Sequence, residues 1–243
     1  MSLITYKIPH SFTTTIEGGV SKGAFSSLNL GLYTEDDKMN VEENLNRLSQ
    51  QISIPKKQIV IAHQIHKDQI AYVQSANDCL EGFDALITDK SNLCLTVTTA
   101  DCVPVLLYDS KHSVIAAIHS GWRSTALHIV EKTMLKMQTL FSSEARDISA
   151  VVGPCISQKY YEVGRDLYDV FVEQKKTYAN FFEKQQNGKF LFDLRSLVVS
   201  QLRSLGVTDI EVSSFCTYER DDLFFSARRQ GICSGRMLTG LFL

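Results

Sequence analysis

The segment TTADCVPVLLYD, Thr98 to Asp109, sets an acid and a thiol, Asp101 and Cys102, at the head of an apolar run. Burying an unpaired carboxylate costs on the order of several kcal/mol, so the pair either occupies an exposed strand end or does chemistry. A second run, SVIAAIHSGWRST, follows the polar turn Asp109-Ser110-Lys111-His112, and the two read as a β-hairpin. With Tyr108 paired to Ser113, Cys102 falls opposite His119 on one face, with Cβ atoms roughly 4.5 to 5.5 Å apart. A thiolate at about 2.3 Å and an imidazole at about 2.0 Å from one zinc ion fit that separation. His66, in IVIAHQIHKDQIAYV, is the natural third ligand because its apolar-strand context brings it into the sheet. The fourth position is then open for water or substrate. His63, three residues earlier, faces the other side of a strand.

The same residues admit a second chemistry, with Cys102 as nucleophile, His119 as base and Asp101 as orienter. After His119 the chain reads Ser120-Gly121-Trp122-Arg123-Ser124-Thr125 and enters a long helix. Ser124 or Thr125 can cap that helix, and its N-terminus with Arg123 makes a corner suited to phosphate. Arg228, Arg229 and Arg236 arrive near the C-terminus and are placed to close the opposite wall. Early in the chain, the Gly- and Ser-dense loop GGVSKGAFSSLNLG places Asn29.

These residues need elements to hold them. A helix is expected from about Asp37 through VEENLNRLSQQI. IVIAHQIHKDQIAYV alternates like a strand, breaks near Lys67-Asp68 and resumes, as a hairpin or a bent strand does. Ile129, Val130, Met134, Met137, Leu140 and Phe141 form a helical stripe within STALHIVEKTMLKMQTLF, and helices are expected around RDLYDVFVEQ and FDLRSLVVSQLRSLG. Strands and helices mix without strict βαβ alternation, which points to an α+β fold with mixed sheets. No linker separates two cores, so residues 1–243 read as one domain.

Composition narrows the partners. The chain has 243 residues, 44% of them hydrophobic, and a net charge of -2 without an acidic or basic block. Nothing there attracts nucleic acid or an anionic membrane, so small molecules are the expected partners. No leader peptide or membrane span is evident, and a cytoplasmic location is expected. The six cysteines are scattered and read as free thiols. Six histidines are too few for a blue copper centre together with a three-copper cluster.

GGVSKGAFSSLNLG, HQIH, DALITD, TTADCVPVLLYD, AAIHSGWRST, GPCISQKYYEVG and CTYERDDLFFSARRQGICSGRM follow one another over nearly the whole chain. Together they resemble the YfiH-like family, also called laccase-domain, multicopper polyphenol oxidase or peptidoglycan editing factor proteins. The resemblance implies a single-domain α+β sandwich of mixed sheets with flanking helices. It also implies a zinc site, with copper possible, on His66, Cys102 and His119. Its implied activity is phosphorolysis of adenosine, inosine and S-methyl-5'-thioadenosine to free base and (methylthio)ribose 1-phosphate, with adenosine deamination as a side reaction. Purine nucleosides and inorganic phosphate are then the partners, and no obligate protein partner is evident.

Within that reading Asp101 and Arg123 are the candidate catalytic residues, and Asn29, Gln64, Ser124 and Arg228 the candidate substrate contacts. Two other readings compete: a Cys-His hydrolase of peptidoglycan precursors, and a laccase-like polyphenol oxidase. The chain also departs from the family pattern. Ile16 stands where an arginine is usual, Lys67 replaces a glycine, and Ser120, Ser124, Ala227 and Ser234 replace other common residues. The ligand positions are intact, whereas the loss at Ile16 bears on anion and substrate contacts.

Overall fold

A computed structural model describes residues 2–231 and 233–243. The chain begins with β1 (Leu3–Thr5), β2 (Ser11–Thr14), α1 (Lys38–Ile52), β3 (Ile59–Ile61), β4 (Ile70–Tyr72) and β5 (Ala85–Thr88). It continues through β6 (Cys94–Thr99), β7 (Val103–Asp109), β8 (Val114–Ser120), α2 (Trp122–Ala126), α3 (Ile129–Phe141) and β9 (Ile148–Val152). The remainder comprises β10 (Glu162–Val163), α4 (Arg165–Gln174), β11 (Phe182–Lys184), β12 (Phe190–Phe192), α5 (Leu194–Ser204), β13 (Asp209–Val212), α6 (Ala227–Gln230) and β14 (Met237–Phe242).

Two main sheets result, one of five strands in the order β1-β2-β14-β6-β3 and one of six in the order β13-β9-β7-β8-β5-β4. A third, β10-β12-β11, is small. The pairs β3/β6, β4/β5 and β9/β13 are parallel and the other pairs antiparallel, so the architecture is α+β with mixed sheets, as expected.

Side-chain alternation along the strands decides the layering. Leu86, Leu106, Ile115, Ala117 and Val151 of the six-stranded sheet pack with Val60, Leu95, Val97 and Leu241 of the five-stranded one. The intervening residues, Ile87, Val105, Leu107, Ala116 and Ile118, face Ile129, Val130 and Met137 of α3 and Leu197 and Val198 of α5. On the far side, Val41, Leu45 and Leu48 of α1 cover the five-stranded sheet near Phe12, Cys94 and Leu238. The carboxylate of Asp37 caps α1 by accepting from Met39 N.

Three local expectations are corrected. The β7–β8 hairpin pairs Asp109 with Val114 and Pro104 with His119, two positions away from the expected register, so Cys102 is not in the ladder opposite His119. The turn is set by Asp109, whose buried carboxylate accepts from Lys111 N, His112 N and His112 Nδ1, and by Ser113, held at φ 54. Next, β3 and β4 lie in different sheets, so His66 sits on a crossover between them and not on a strand. Lastly, the expected long helix breaks into α2 and α3 at His128, whose φ of 60 interrupts the helical path.

The crossovers β3 to β4 and β6 to β7 both pass from the five-stranded to the six-stranded sheet. Because β3 and β6 are parallel, the two crossovers leave the same end of the sandwich. The first carries His66 and the second Cys102, while His119 lies at the end of β8.

Candidate metal centre

The ligand atoms of His66, Cys102 and His119 all lie within 4.8 Å of one another. Cys102 Sγ is 3.9 Å from His66 Nε2, and the two imidazoles meet edge to face with centroids 4.6 Å apart. Cys102 reaches the group from the crossover just before β7, and His119 from the end of β8. One sulfur and two nitrogens converge, with no fourth His, Cys or carboxylate in the group among the described residues, a donor set suited to a metal ion with an open position. His63, three residues from His66, is not among the three; its ring stacks on Tyr33 and its Nδ1 is 3.8 Å from Glu81.

Asp84, just before β5 and only 1% exposed, organises two of the three donors. Its Oδ1 accepts from His119 Nδ1 at 2.8 Å and from His66 N at 2.9 Å. Its Oδ2 accepts from Ile65 N and Lys67 N. One carboxylate thus fixes the His119 tautomer, leaving Nε2 for a metal, and clamps the crossover that presents His66. In the sequence, Asp84 appeared only as the head of the apolar stretch DALITD; its place between two histidines was the missing signal.

Gly121 makes the room. A Cβ on it would stand 3.0 Å from Cys102 Sγ and 3.1 Å from His66 Cδ2, while its φ of -72 is open to any residue. Gly121→Ala is therefore expected to fold and to bind metal roughly tenfold more weakly, the penalty of mild overpacking. Competition with a chromogenic chelator measures this.

Burial pushes the Cys102 thiol up, but His119 and His66 beside it prevail and bring it down to about 6. Burial pushes His119 down, and the Cys102 thiolate and Asp84 reverse this, raising it to about 9. In the metal-free chain near neutrality Cys102 is therefore a thiolate and His119 an imidazolium. A metal must displace the His119 proton, so its apparent affinity should rise about tenfold per pH unit between the two values and level off above the higher one. Metal-buffer titrations across that range, with proton release followed by indicator dye, check the slope.

These donors form part of a cavity of about 490 Å³, also lined by Leu32, Tyr33, His63, Ala100, Ala227 and Arg236. Several residues expected to act there are otherwise engaged. The Asp101 carboxylate accepts from Thr217 Oγ1, Ser226 Oγ and Arg228 N, so it bolts the C-terminal segment to the Cys102 turn. Its φ of 95 makes the sharp turn between sheets. Asn29 is wholly buried and donates to Thr34 Oγ1 and Asp36 while accepting from Gly31 N and Arg236 N, which fills its capacity. Gln64 reaches the cavity, but its amide pairs with Thr98 N, O and Oγ1.

The anion corner is revised as well. Ser124 is buried inside α2 and caps nothing; α2 starts at Trp122 with Gly121 as its N-cap. Arg123 lies over the Trp122 ring, and Arg228 donates to Glu162 O over the Tyr161 ring. None of the three lines the cavity. Arg236 does, and of its guanidinium nitrogens only Nη1 donates to protein among the described residues, to Ser234 and Gly235. Its other donors are available to a ligand.

Residues 10–243 match a family described as multi-copper polyphenol oxidoreductase laccase. The chain belongs to this YfiH-like, laccase-domain family. A purine nucleoside phosphorylase of Bacteroides thetaiotaomicron is 39% identical, covering 100% of this chain and 94% of the relative. Adenosine deaminase RL5, from an unknown prokaryotic organism, is 32% identical over 96% and 93%. YlmD of Geobacillus stearothermophilus superposes with a TM-score of 0.92 at 30% identity, covering 100% of this chain and 96% of that one. Ile16 packs against the apolar cluster of Ala100, Phe224, Phe225 and Met237. Arg236 is left as the one guanidinium among the cavity's lining residues.

Proposed function

We propose that the chain is a zinc-dependent purine nucleoside phosphorylase, converting adenosine, inosine and S-methyl-5'-thioadenosine to free base and (methylthio)ribose 1-phosphate, with adenosine deamination as a side reaction. The observation that carries this reading is the convergence of one thiolate and two imidazoles in a cavity of nucleoside size. Similarity over the full length to a purine nucleoside phosphorylase, and over nearly all of it to an adenosine deaminase, supports the substrate class.

His66, Cys102 and His119 would hold the ion, and sulfur with two nitrogens favours zinc, copper being the rival for such donors. The chemistry a bound ion supplies is Lewis acidity and activation of a nucleophile at neutral pH. Asp84 keeps the His119 proton on Nδ1, turned away from the site. Phosphorolysis needs a cation to bring phosphate beside the anomeric carbon, and Arg236 supplies one from the cavity wall. Deamination needs no phosphate, so one cavity serves both reactions.

A multicopper centre calls for more ligands than the single group of three found among the described residues. The hydrolase reading needs Cys102 free of metal. Elemental analysis of protein purified without added metal is expected to give one zinc per chain, with Cys102 protected from alkylation until a chelator is added. A metal-free, alkylatable Cys102 in active protein would contradict the proposal. Chromatography of products from a nucleoside panel ranks the substrates.

A further inference from the structure

The cavity wall beside the donors carries an aromatic pair that the metal does not use. Tyr33 and His63 stack with centroids 4.0 Å apart and planes 26° from parallel. Both line the same cavity as His66, Cys102 and His119. His63 is anchored from below: its N donates to Leu80 O at 3.0 Å and its O accepts from Gly82 N at 2.9 Å. Tyr33, resting on it, is nonetheless 63% exposed, and Leu32, which lines the same cavity, is 42% exposed.

We infer that the Tyr33–His63 stack is the platform on which the purine ring of the substrate lies, in the same cavity as the donor group. The inference rests on the nucleoside reading above and assigns its base-binding element. A tyrosine with one face on an anchored imidazole is held in orientation, and the remaining surface, large and apolar, is suited to a flat partner. Every purine presents a π-face, and stacking on an aromatic side chain tolerates changes in the exocyclic group. That matches a site taking both adenosine and inosine, which differ at C6. A ribose, with hydroxyls on both faces, gains little from such a surface. The buried amide of Asn29 is fully engaged within the protein, and the Gln64 Oε1 already accepts from Thr98 N and Oγ1, so neither offers the base an acceptor.

Two variants test this in the metal-loaded protein. Adenine titrated calorimetrically is expected to bind Tyr33→Ala roughly fivefold to hundredfold more weakly than wild type, and Tyr33→Phe about as well as wild type. KM for adenosine should rise with the same pattern, the loss falling on KM more than on kcat, and metal content should not change in either variant. Adenine binding that Tyr33→Ala leaves untouched, or a wild-type protein that does not bind adenine, overturns the inference. The outcomes separate from those of the catalytic reading: Tyr33-dependent adenine binding without turnover of any purine nucleoside removes the phosphorylase and leaves the platform. Turnover with a KM indifferent to Tyr33 does the reverse.

Discussion

Cys102→Ala is expected to empty the site of metal and to lower kcat/KM for adenosine by on the order of 10³-fold. The thiolate is the one anionic donor of the three, and it lies within reach of both imidazoles. Two neutral histidines on separate elements hold zinc poorly, and with the ion goes several kcal/mol of transition-state stabilisation, each ~1.4 kcal/mol being tenfold in rate. The fold should survive, because the removed group belongs to the cavity wall and not to the packed layers. Elemental analysis and steady-state rates on one preparation, with circular dichroism as the folding control, make the measurement. A variant that retains zinc and activity would remove Cys102 from the centre. The hydrolase reading predicts lost activity too, but with metal content unchanged, so the two readings part at the elemental analysis.

Asp84→Asn is the second large effect, expected to weaken metal binding about 10- to 100-fold, as loss of a carboxylate behind a ligating histidine does. The carboxylate accepts from His119 Nδ1 and from the amides of Ile65, His66 and Lys67, and an amide can satisfy only the Oδ1 side of that set. Its NH2 group would face amide protons, pushing the His66 crossover outward. At the same time the His119 proton loses the anion that keeps it on Nδ1. Chelator competition gives the affinity, and excess zinc should restore much of the activity, which it cannot do for Cys102→Ala. Unchanged affinity in Asp84→Asn would mean that the crossover and the tautomer are set elsewhere.

The sequence points to the three residues that converge at the end of the sandwich, and the reasons are instructive. Hairpin logic brings Cys102 and His119 together with a register off by two; Cys102 lies just before β7 on the crossover, and the two still meet at the same end of the sandwich. His66 was assigned to a strand and lies on a crossover, yet it reaches the same end of the sandwich. The helical stripe is readable at Ile129, Val130, Met134 and Met137, which are buried, because periodicity reports burial; its far end is not, since Leu140 is exposed near the end of α3. What escaped was long-range polar pairing. Asp101, expected as a catalytic group, and Asn29 and Gln64, expected as substrate contacts, are engaged by Thr217 and Ser226, by Asp36 and Arg236, and by Thr98, partners that no local pattern announces. Asp84 escaped for the same reason: its partners lie up to 35 residues away in the chain. Arg123 and Ser124 were placed by the promise of a long helix, which the left-handed His128 cuts short.

The measurement that bears most directly on the account is release of adenine from adenosine by the zinc-loaded protein, with and without inorganic phosphate. The account predicts phosphate-dependent release of adenine, with ribose 1-phosphate equal to the total free base formed, and a minor deaminated fraction that appears as inosine without phosphate and partly as hypoxanthine with it. No turnover of any purine nucleoside by protein carrying stoichiometric zinc would contradict it.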